Sequence, residues 1–308
     1  MPGSRVALVA PAGPLLEQDD LTRAQELCRA LGYDPVLGSS AYARHGYMAG
    51  TDEQRLGDLN SALADPSINA VWSIRGGYGS LRLLDQVDYA AIARHPKALI
   101  GFSDVTVLLN AVTRLTGIVT FHGPVARASM PAFNRWHFER VLTRTEPAGR
   151  LGRIPQAPDT LVPQDDRTVT VRGGVAEGPL AGGNLTLLQC LIGTPYFPEL
   201  AGAILFLEDV GEDLYRVDRM LAHLRLIGAL RRLSGVLIGR FTKLNRSGAD
   251  GALGYDEVLA DYFRPLGIPV AYGFPVGHID AQWTLPLGVR VRLDAGAGEV
   301  EVLEPAVS

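Results

Sequence analysis

A serine becomes a nucleophile when the chain lifts its hydroxyl clear, a base takes its proton and a third group orients that base. Ser103 has an address that meets the first condition. In ALIGFSDVTVLLNAV (98–112) an apolar run reaches a glycine and a phenylalanine, and the serine follows where a new apolar run with helical spacing begins. A serine there can simply cap the helix. It can also point its hydroxyl out of the strand end, where the helix N-terminus favours developing negative charge and the N–H of Asp104 can donate. The second glycine of a G-x-S-x-G elbow is missing. Two other segments hold the same kind of position. In RGGYGS (75–80), the successive glycines can let the backbone approach a ligand and offer N–H groups to an anion or oxyanion, or can form a tight turn with no ligand. That segment has neither a Walker lysine nor G-x-G-x-x-G spacing. The third segment is HGP (122–124).

Of the six histidines, His95 and His137 lie in charged helical stretches that read as surface, His223 lies in mid-helix and His45 in a loop. His122 and His278 stand at strand ends beside glycines, and the residues alone leave the base open between them. For the third group, LFLED ends an apolar run in Glu208 and Asp209. A carboxylate on a buried strand needs a partner, a histidine or, on the competing reading, an arginine. The acidic continuation GEDLYRVDRM has no metal-ligand spacing, so neither metal nor cofactor is expected.

These residues need elements to position them. Over the first 125 residues, short apolar runs at 5–11, 68–74, 98–102 and 118–123 alternate with helical patterns at 19–32, 51–64 and 104–117. A weaker strand falls at 35–40, a broken helical pattern spans 80–93, and a further helix spans 134–145. Thr51 with Gln54 has the form of a capping box. Strands that lack polar alternation and alternate with helices imply an open, doubly wound parallel sheet, whose carboxyl ends would gather RGGYGS, GFSD and HGP. Residues 146–168 are rich in Pro, Gly and charge and mark a boundary. Beyond them, strands are expected at 168–174, 201–209, 234–241 and 268–277, helices at 182–193, 213–230 and 254–267, and a closing hairpin at 289–303. That half is mixed and richer in β-structure.

The composition allows this. The 308 residues are 47% hydrophobic and 20% charged, enough for a core in each of two domains. A net charge of −4 gives nucleic acid no electrostatic footprint. Cys28 and Cys190 fall in apolar helical stretches, where they read as buried small hydrophobes, and they form no disulfide framework. The N-terminal apolar run meets Pro11 and Pro14 too soon for a signal peptide, and no run approaches a membrane span, so a cytoplasmic protein is expected.

Taken together, RGGYGS (75–80), GFSDVT (101–106), HGP (122–124), GGNLTLL (182–188), LEDVGEDLYRVDRML (207–221) and GHIDAQWTLPLG (277–288) resemble the LD-carboxypeptidases, or muramoyltetrapeptide carboxypeptidases, in order and nearly end to end. The resemblance implies a Ser103–Glu208–His278 triad, and so selects His278 over His122. It implies an oxyanion hole from the N–H groups of Asp104 and Gly77. Gly76, Tyr78, Arg75 and His122 are candidates for substrate contact, and Arg75 and Arg127 for the terminal carboxylate. The implied fold is a flavodoxin- or Rossmann-like α/β domain (1–145) carrying the serine, a linker (146–168), and a β-rich swivelling α+β domain (169–308) carrying Glu208 and His278. The implied activity is release of the terminal D-alanine from murein tetrapeptide through an acyl-enzyme, in a cytoplasmic homodimer that recycles peptidoglycan. Two alternatives stand beside it: a hydrolase of acyl-adenylate-like amides of the microcin-C immunity type, and a non-enzymatic protein that binds a small ligand.

Overall fold

The computed structural model describes residues 3–17, 19–155, 167–245 and 253–308. Of the expected linker, residues 156–166 lie outside that set. The chain forms two compact units: Met1–Arg135 with Cys190–Pro198 and Thr284–Gly288, and Trp136–Gln189 with Glu199–Trp283 and Val289–Ser308. The first unit therefore takes in two short segments from the far half of the sequence.

In the first unit the alternation of apolar runs and amphipathic helices becomes β1 (Arg5–Val9), α1 (Asp20–Ala30), β2 (Asp34–Leu37), α2 (Asp52–Ala64), β3 (Ala70–Ser73), α3 (Tyr89–Arg94), β4 (Ala98–Gly101), α4 (Thr106–Thr116) and β5 (Thr120–His122). The five strands are parallel, in the order β2-β1-β3-β4-β5. The order reverses between β1 and β3, and such a switch point leaves a crevice at the strands' carboxyl ends. Leu8, Val71, Trp72 and Leu99 on the central strands are buried, as a sheet covered on both faces requires. The Thr51 capping box forms with both of its hydrogen bonds and sets the start of α2. The broken helical pattern at 80–93 resolves into a 3-10 helix, Ser80–Gln86, followed by α3.

The chain leaves this unit within α5 (Ala132–Leu142) and continues through β6 (Gly149–Arg150), β7 (Val169–Arg172), β8 (Val175–Asn184), α6 (Leu185–Cys190), β9 (Ile204–Val210), α7 (Leu214–Leu226), β10 (Gly235–Thr242), α8 (Tyr255–Phe263) and β11 (Val270–Tyr272). After them come β12 (Leu285–Leu287), β13 (Arg290–Asp294) and β14 (Glu299–Val302). The second unit's sheet is mixed, in the order β6-β14-β13-β8-β9-β10-β11-β7. Its centre, β8 to β11, is parallel, and its flanks are antiparallel hairpin-like pairings. β12 belongs instead to the first sheet, where it closes the edge antiparallel to β5.

Three expectations are corrected here. Residues 182–184 were expected to open a helix, but they end β8, a ten-residue strand that the apolar pattern does not announce. Its glycines answer close backbone approach: a Cβ on Gly178 would lie 2.1 Å from the Gly202 carbonyl oxygen, and one on Gly182 2.0 Å from that of Phe206. The run at 268–277 is strand only over Val270–Tyr272. Cys28 is buried, but Cys190 is exposed at the end of α6. Gly182 also has φ 133°, so Gly182→Ala is expected to cost about 3 kcal/mol through overpacking and backbone strain, seen as a lowered urea midpoint. An unchanged midpoint would disprove the close approach. Among the described residues no helix is long and apolar enough to cross a membrane.

Candidate active site

In the first unit β4 ends at Gly101, Phe102 is extended, and the chain turns at Ser103 into a 3-10 turn, Ser103–Val105, that runs into α4. Ser103 has φ 63°, in the left-handed region that a residue with a side chain rarely adopts. Such a conformation costs roughly 1–3 kcal/mol and persists only where the surroundings impose it. The surroundings are glycines. A Cβ on Gly101 would lie 2.9 Å from Val105 Cγ1, and one on Gly76 would lie 2.8 Å from the Ser103 Cβ. The N-cap of α4 is Val105, so capping that helix is not what Ser103 does.

Asp104 is buried, and its carboxylate accepts the Ser80 N–H at 2.8 Å. Burial pushes that carboxyl above the usual aspartate range, against the pull of its hydrogen bonds to Ser80 and Gly79. The contact ties RGGYGS to the turn that carries Ser103. On its other side this loop packs backbone to backbone on Gly13, at the β1/β3 switch point. The Gly13 N–H donates to the Gly76 carbonyl at 3.1 Å, and a Cβ on Gly77, whose φ is 124°, would lie 2.8 Å from the Gly13 Cα. The sequence reading passed over Gly13; its signal was the PAGP that follows the first strand.

Tyr78 is about half exposed and meets Tyr47 edge-on at 5.2 Å. Arg75 donates to the Pro14 carbonyl. His122 is wholly buried, its ring 5.8 Å from that of Phe102 and its backbone opposite Leu285 of β12. Of the expected first-domain residues, then, Arg75, Gly76, Gly77, Tyr78, Ser103 and Asp104 gather around one loop and one turn, while His122 is enclosed behind them.

The second unit brings together two residues far apart in sequence. Glu208, on β9, has 0% exposure, and its Oε2 lies 2.8 Å from Nδ1 of His278. Burial raises this carboxyl above the usual glutamate range, while the bond to His278 and the side chain of Asn184, opposite it on β8, pull the other way. The competing expectation, an arginine partner for Glu208, is replaced by the histidine. Gly277 makes the pairing possible: its φ is 119°, and a Cβ there would lie 2.8 Å from Glu208 Oε2. His278 itself keeps about a fifth of its side chain exposed.

Asp209 has a different task. It accepts the Asn184 amide, the Thr186 N–H and hydroxyl and the Val210 N–H, and so fixes the β8–α6 corner. Asn184 also caps α6 by accepting the Leu187 N–H at 3.1 Å. His137, expected at the surface, is buried and accepts the Gly152 N–H on Nε2 at 3.1 Å. His223 pairs with Gln189. Among the described residues no group of three or more His, Cys, Asp or Glu side chains is placed to hold a metal ion.

Each unit thus carries a distinct chemical element. One presents a serine on a strained strand-to-helix turn beside a glycine loop. The other presents a histidine whose Nδ1 is held by a buried carboxylate, an arrangement that leaves Nε2 as the atom for proton transfer.

The LD-carboxypeptidase N-terminal domain matches residues 6–123, and the LD-carboxypeptidase C-terminal domain matches residues 177–293. The murein tetrapeptide carboxypeptidase of Pseudomonas aeruginosa is 38% identical over 300 residues, covering 94% of this chain and 93% of that one. The crystal structure of a muramoyltetrapeptide carboxypeptidase from Oxalobacter formigenes superposes with a TM-score of 0.82 at 32% identity, over 97% of this chain and 98% of the other. The microcin C7 self-immunity protein in complex with aspartyl sulfamoyl adenosine superposes with a TM-score of 0.89 at 26% identity, over 100% of this chain and 98% of the other.

Proposed function

The chain belongs to the LD-carboxypeptidase family, and from that premise we propose that it is a serine carboxypeptidase that removes the terminal D-alanine of a murein tetrapeptide. The observation that carries this reading is the 2.8 Å bond between His278 Nδ1 and the wholly buried Glu208. A carboxylate in that environment is costly unless it is paired and hydrogen-bonded, and an imidazole that it orients is such a partner. The strained φ of Ser103 supports the same reading, because strain of this kind collects at sites that need it.

In the proposed mechanism His278 Nε2 takes the Ser103 proton as the hydroxyl oxygen attacks the carbonyl of the L-configured centre that precedes D-alanine. Glu208 holds the imidazole in the tautomer with Nδ1–H and stabilises its charged form. The N–H groups of Asp104 and Gly77 receive the oxyanion. His278 then protonates the departing amine, D-alanine leaves, and a water activated by the same histidine hydrolyses the ester on Ser103. A cytoplasmic location and a homodimer belong to the same proposal.

Gly277 gives this reading a sensitive handle. Gly277→Ala pushes a methyl group onto Glu208 Oε2, and a displacement of about 1 Å in a catalytic group costs on the order of 10²-fold in rate. A kcat loss of that size with KM nearly unchanged is expected. A raised KM with kcat intact would assign the loop to substrate contact instead.

The likeness to the microcin C7 self-immunity protein favours a second reading, hydrolysis of an acyl-adenylate-like amide. One assay separates the two. The protein is incubated with defined muropeptides and with an aminoacyl sulfamoyl adenosine, and the products are followed by mass spectrometry. Loss of D-alanine from tetrapeptides but not pentapeptides is expected. Cleavage of the nucleotide analogue alone would replace the first reading by the second.

A further inference from the structure

Two guanidinium groups meet at the β1/β3 switch point, and one carboxylate answers them. Arg75 follows Ile74 just beyond β3, and Arg127 donates its backbone N–H to the Ile74 carbonyl at 3.3 Å. The two arginines therefore leave the sheet side by side, and Arg75 feels the charge of Arg127. Asp20, at the start of α1, is only 1% exposed and takes Arg127 on Oδ1 at 3.3 Å. Its Oδ2 holds the N–H groups of Leu16 and Glu17 at 3.0 and 3.2 Å. Asp20 is thus filled by three donors and neutralises Arg127. Arg75 donates to a neutral partner, the Pro14 carbonyl, and among the described residues it forms no ion pair.

A guanidinium stays charged in a protein even when half buried. Burial and the Arg127 charge weaken its hold on the proton, and the Asp20 charge pulls the other way without reversing this. A cation fixed in this way is stabilised when a bound anion completes the pair, and the planar fork of Arg suits a carboxylate. Its position adds to the argument. Arg75 precedes Gly76, the residue whose missing Cβ makes room for Ser103. One residue of extended peptide spans about 3.3–3.6 Å, so a terminal carboxylate one residue past the attacked carbonyl stays within this loop's neighbourhood.

We propose that Arg75, supported by Arg127, binds the free α-carboxylate of the residue that is released and so confines the enzyme to the last peptide bond of its substrate. This inference rests on the carboxypeptidase reading above. A substrate longer by one residue would present a neutral amide to the guanidinium, and its next bond would be refused for that reason.

The test compares a tetrapeptide ending in D-alanine with the same peptide ending in D-alaninamide, by kcat/KM for release of the last residue. Wild type is expected to prefer the acid by about 10–100-fold, the worth of hydrogen bonds to a charged group. In Arg75→Ala that preference should fall to near unity, and Arg75→Lys, which keeps the charge without the fork, should retain part of it. Where Arg75→Ala does not fold, Arg75→Gln and Arg75→Lys carry the same comparison. A wild-type preference that survives in Arg75→Ala or Arg75→Gln overturns the inference, as does a wild type that treats acid and amide alike. A wild type that releases neither D-alanine from the acid nor D-alaninamide from the amide overturns the carboxypeptidase reading, and this inference with it.

Discussion

Ser103→Ala is expected to reduce D-alanine release by about 10⁴-fold or more, because removing the nucleophile of a triad leaves only binding and oxyanion stabilisation. Ser103→Gly should be equally inactive, but the two variants should part company in stability. Ser103 holds φ 63°, a conformation that alanine bears as badly as serine and that glycine adopts freely. Ser103→Gly should therefore be more stable by about 1 kcal/mol, a rise in Tm of roughly 2–4 °C for a domain of this size. Ser103→Ala should melt close to wild type. The pair of variants separates two roles of one position: in the proposed mechanism the hydroxyl does the chemistry, while the backbone carries the strain that presents it. Full tetrapeptide turnover by Ser103→Ala would sink the assignment of the nucleophile. A Ser103→Gly protein less stable than wild type would sink the claim of strain.

Glu208→Gln carries the second large effect. The amide keeps the shape of the carboxylate but no longer demands Nδ1–H from His278, and in the proposed mechanism it no longer stabilises the imidazolium; the corresponding change in a serine protease triad lowers kcat by about 10⁴-fold. Stability should move the other way with pH. Burial raises the Glu208 carboxyl above its ordinary value of 4.5, so the folded protein binds this proton more tightly than the unfolded chain does. The stability contributed in that way is complete below 4.5 and is lost as pH rises through the raised folded value. Glutamine has no such titration. The Tm of Glu208→Gln minus that of wild type should therefore grow as pH climbs above 4.5, then level off once wild-type Glu208 is ionised. A difference that shrinks with rising pH would mean that the bond to His278, not burial, governs this carboxylate.

Much of this was legible in the residues. The alternation of unbroken apolar runs with amphipathic helices announced the parallel sheet, because strands buried on both faces show no polar alternation. The glycines of RGGYGS and the seam at Gly101 and Ser103 could be placed at strand ends for the same reason. Other features were hidden by physics that acts across the chain. β8 escaped notice because its glycines serve contacts with Gly202 and Phe206, and glycine erases the apolar signal of a strand. His137 sits among charged neighbours in sequence yet is buried, because one face of α5 is covered. The choice between His122 and His278 stayed open in the residues themselves, since both end strands beside glycine. It turns on a pairing 70 residues apart, which depends on where the 277–278 loop meets β9, and local pattern carries no record of that. Only the resemblance across widely spaced motifs pointed to His278.

The strand β12 has a consequence for how the protein is made. β5 waits for Leu285–Leu287 to cover its open side, and that segment leaves the ribosome some 160 residues after β5 does. At roughly 5–20 residues per second, the first sheet spends about 10–30 s of synthesis with an unpaired edge. Until the last tenth of the chain emerges, its backbone groups remain a template for another nascent chain. Truncation before Thr284 would make that temporary exposure permanent.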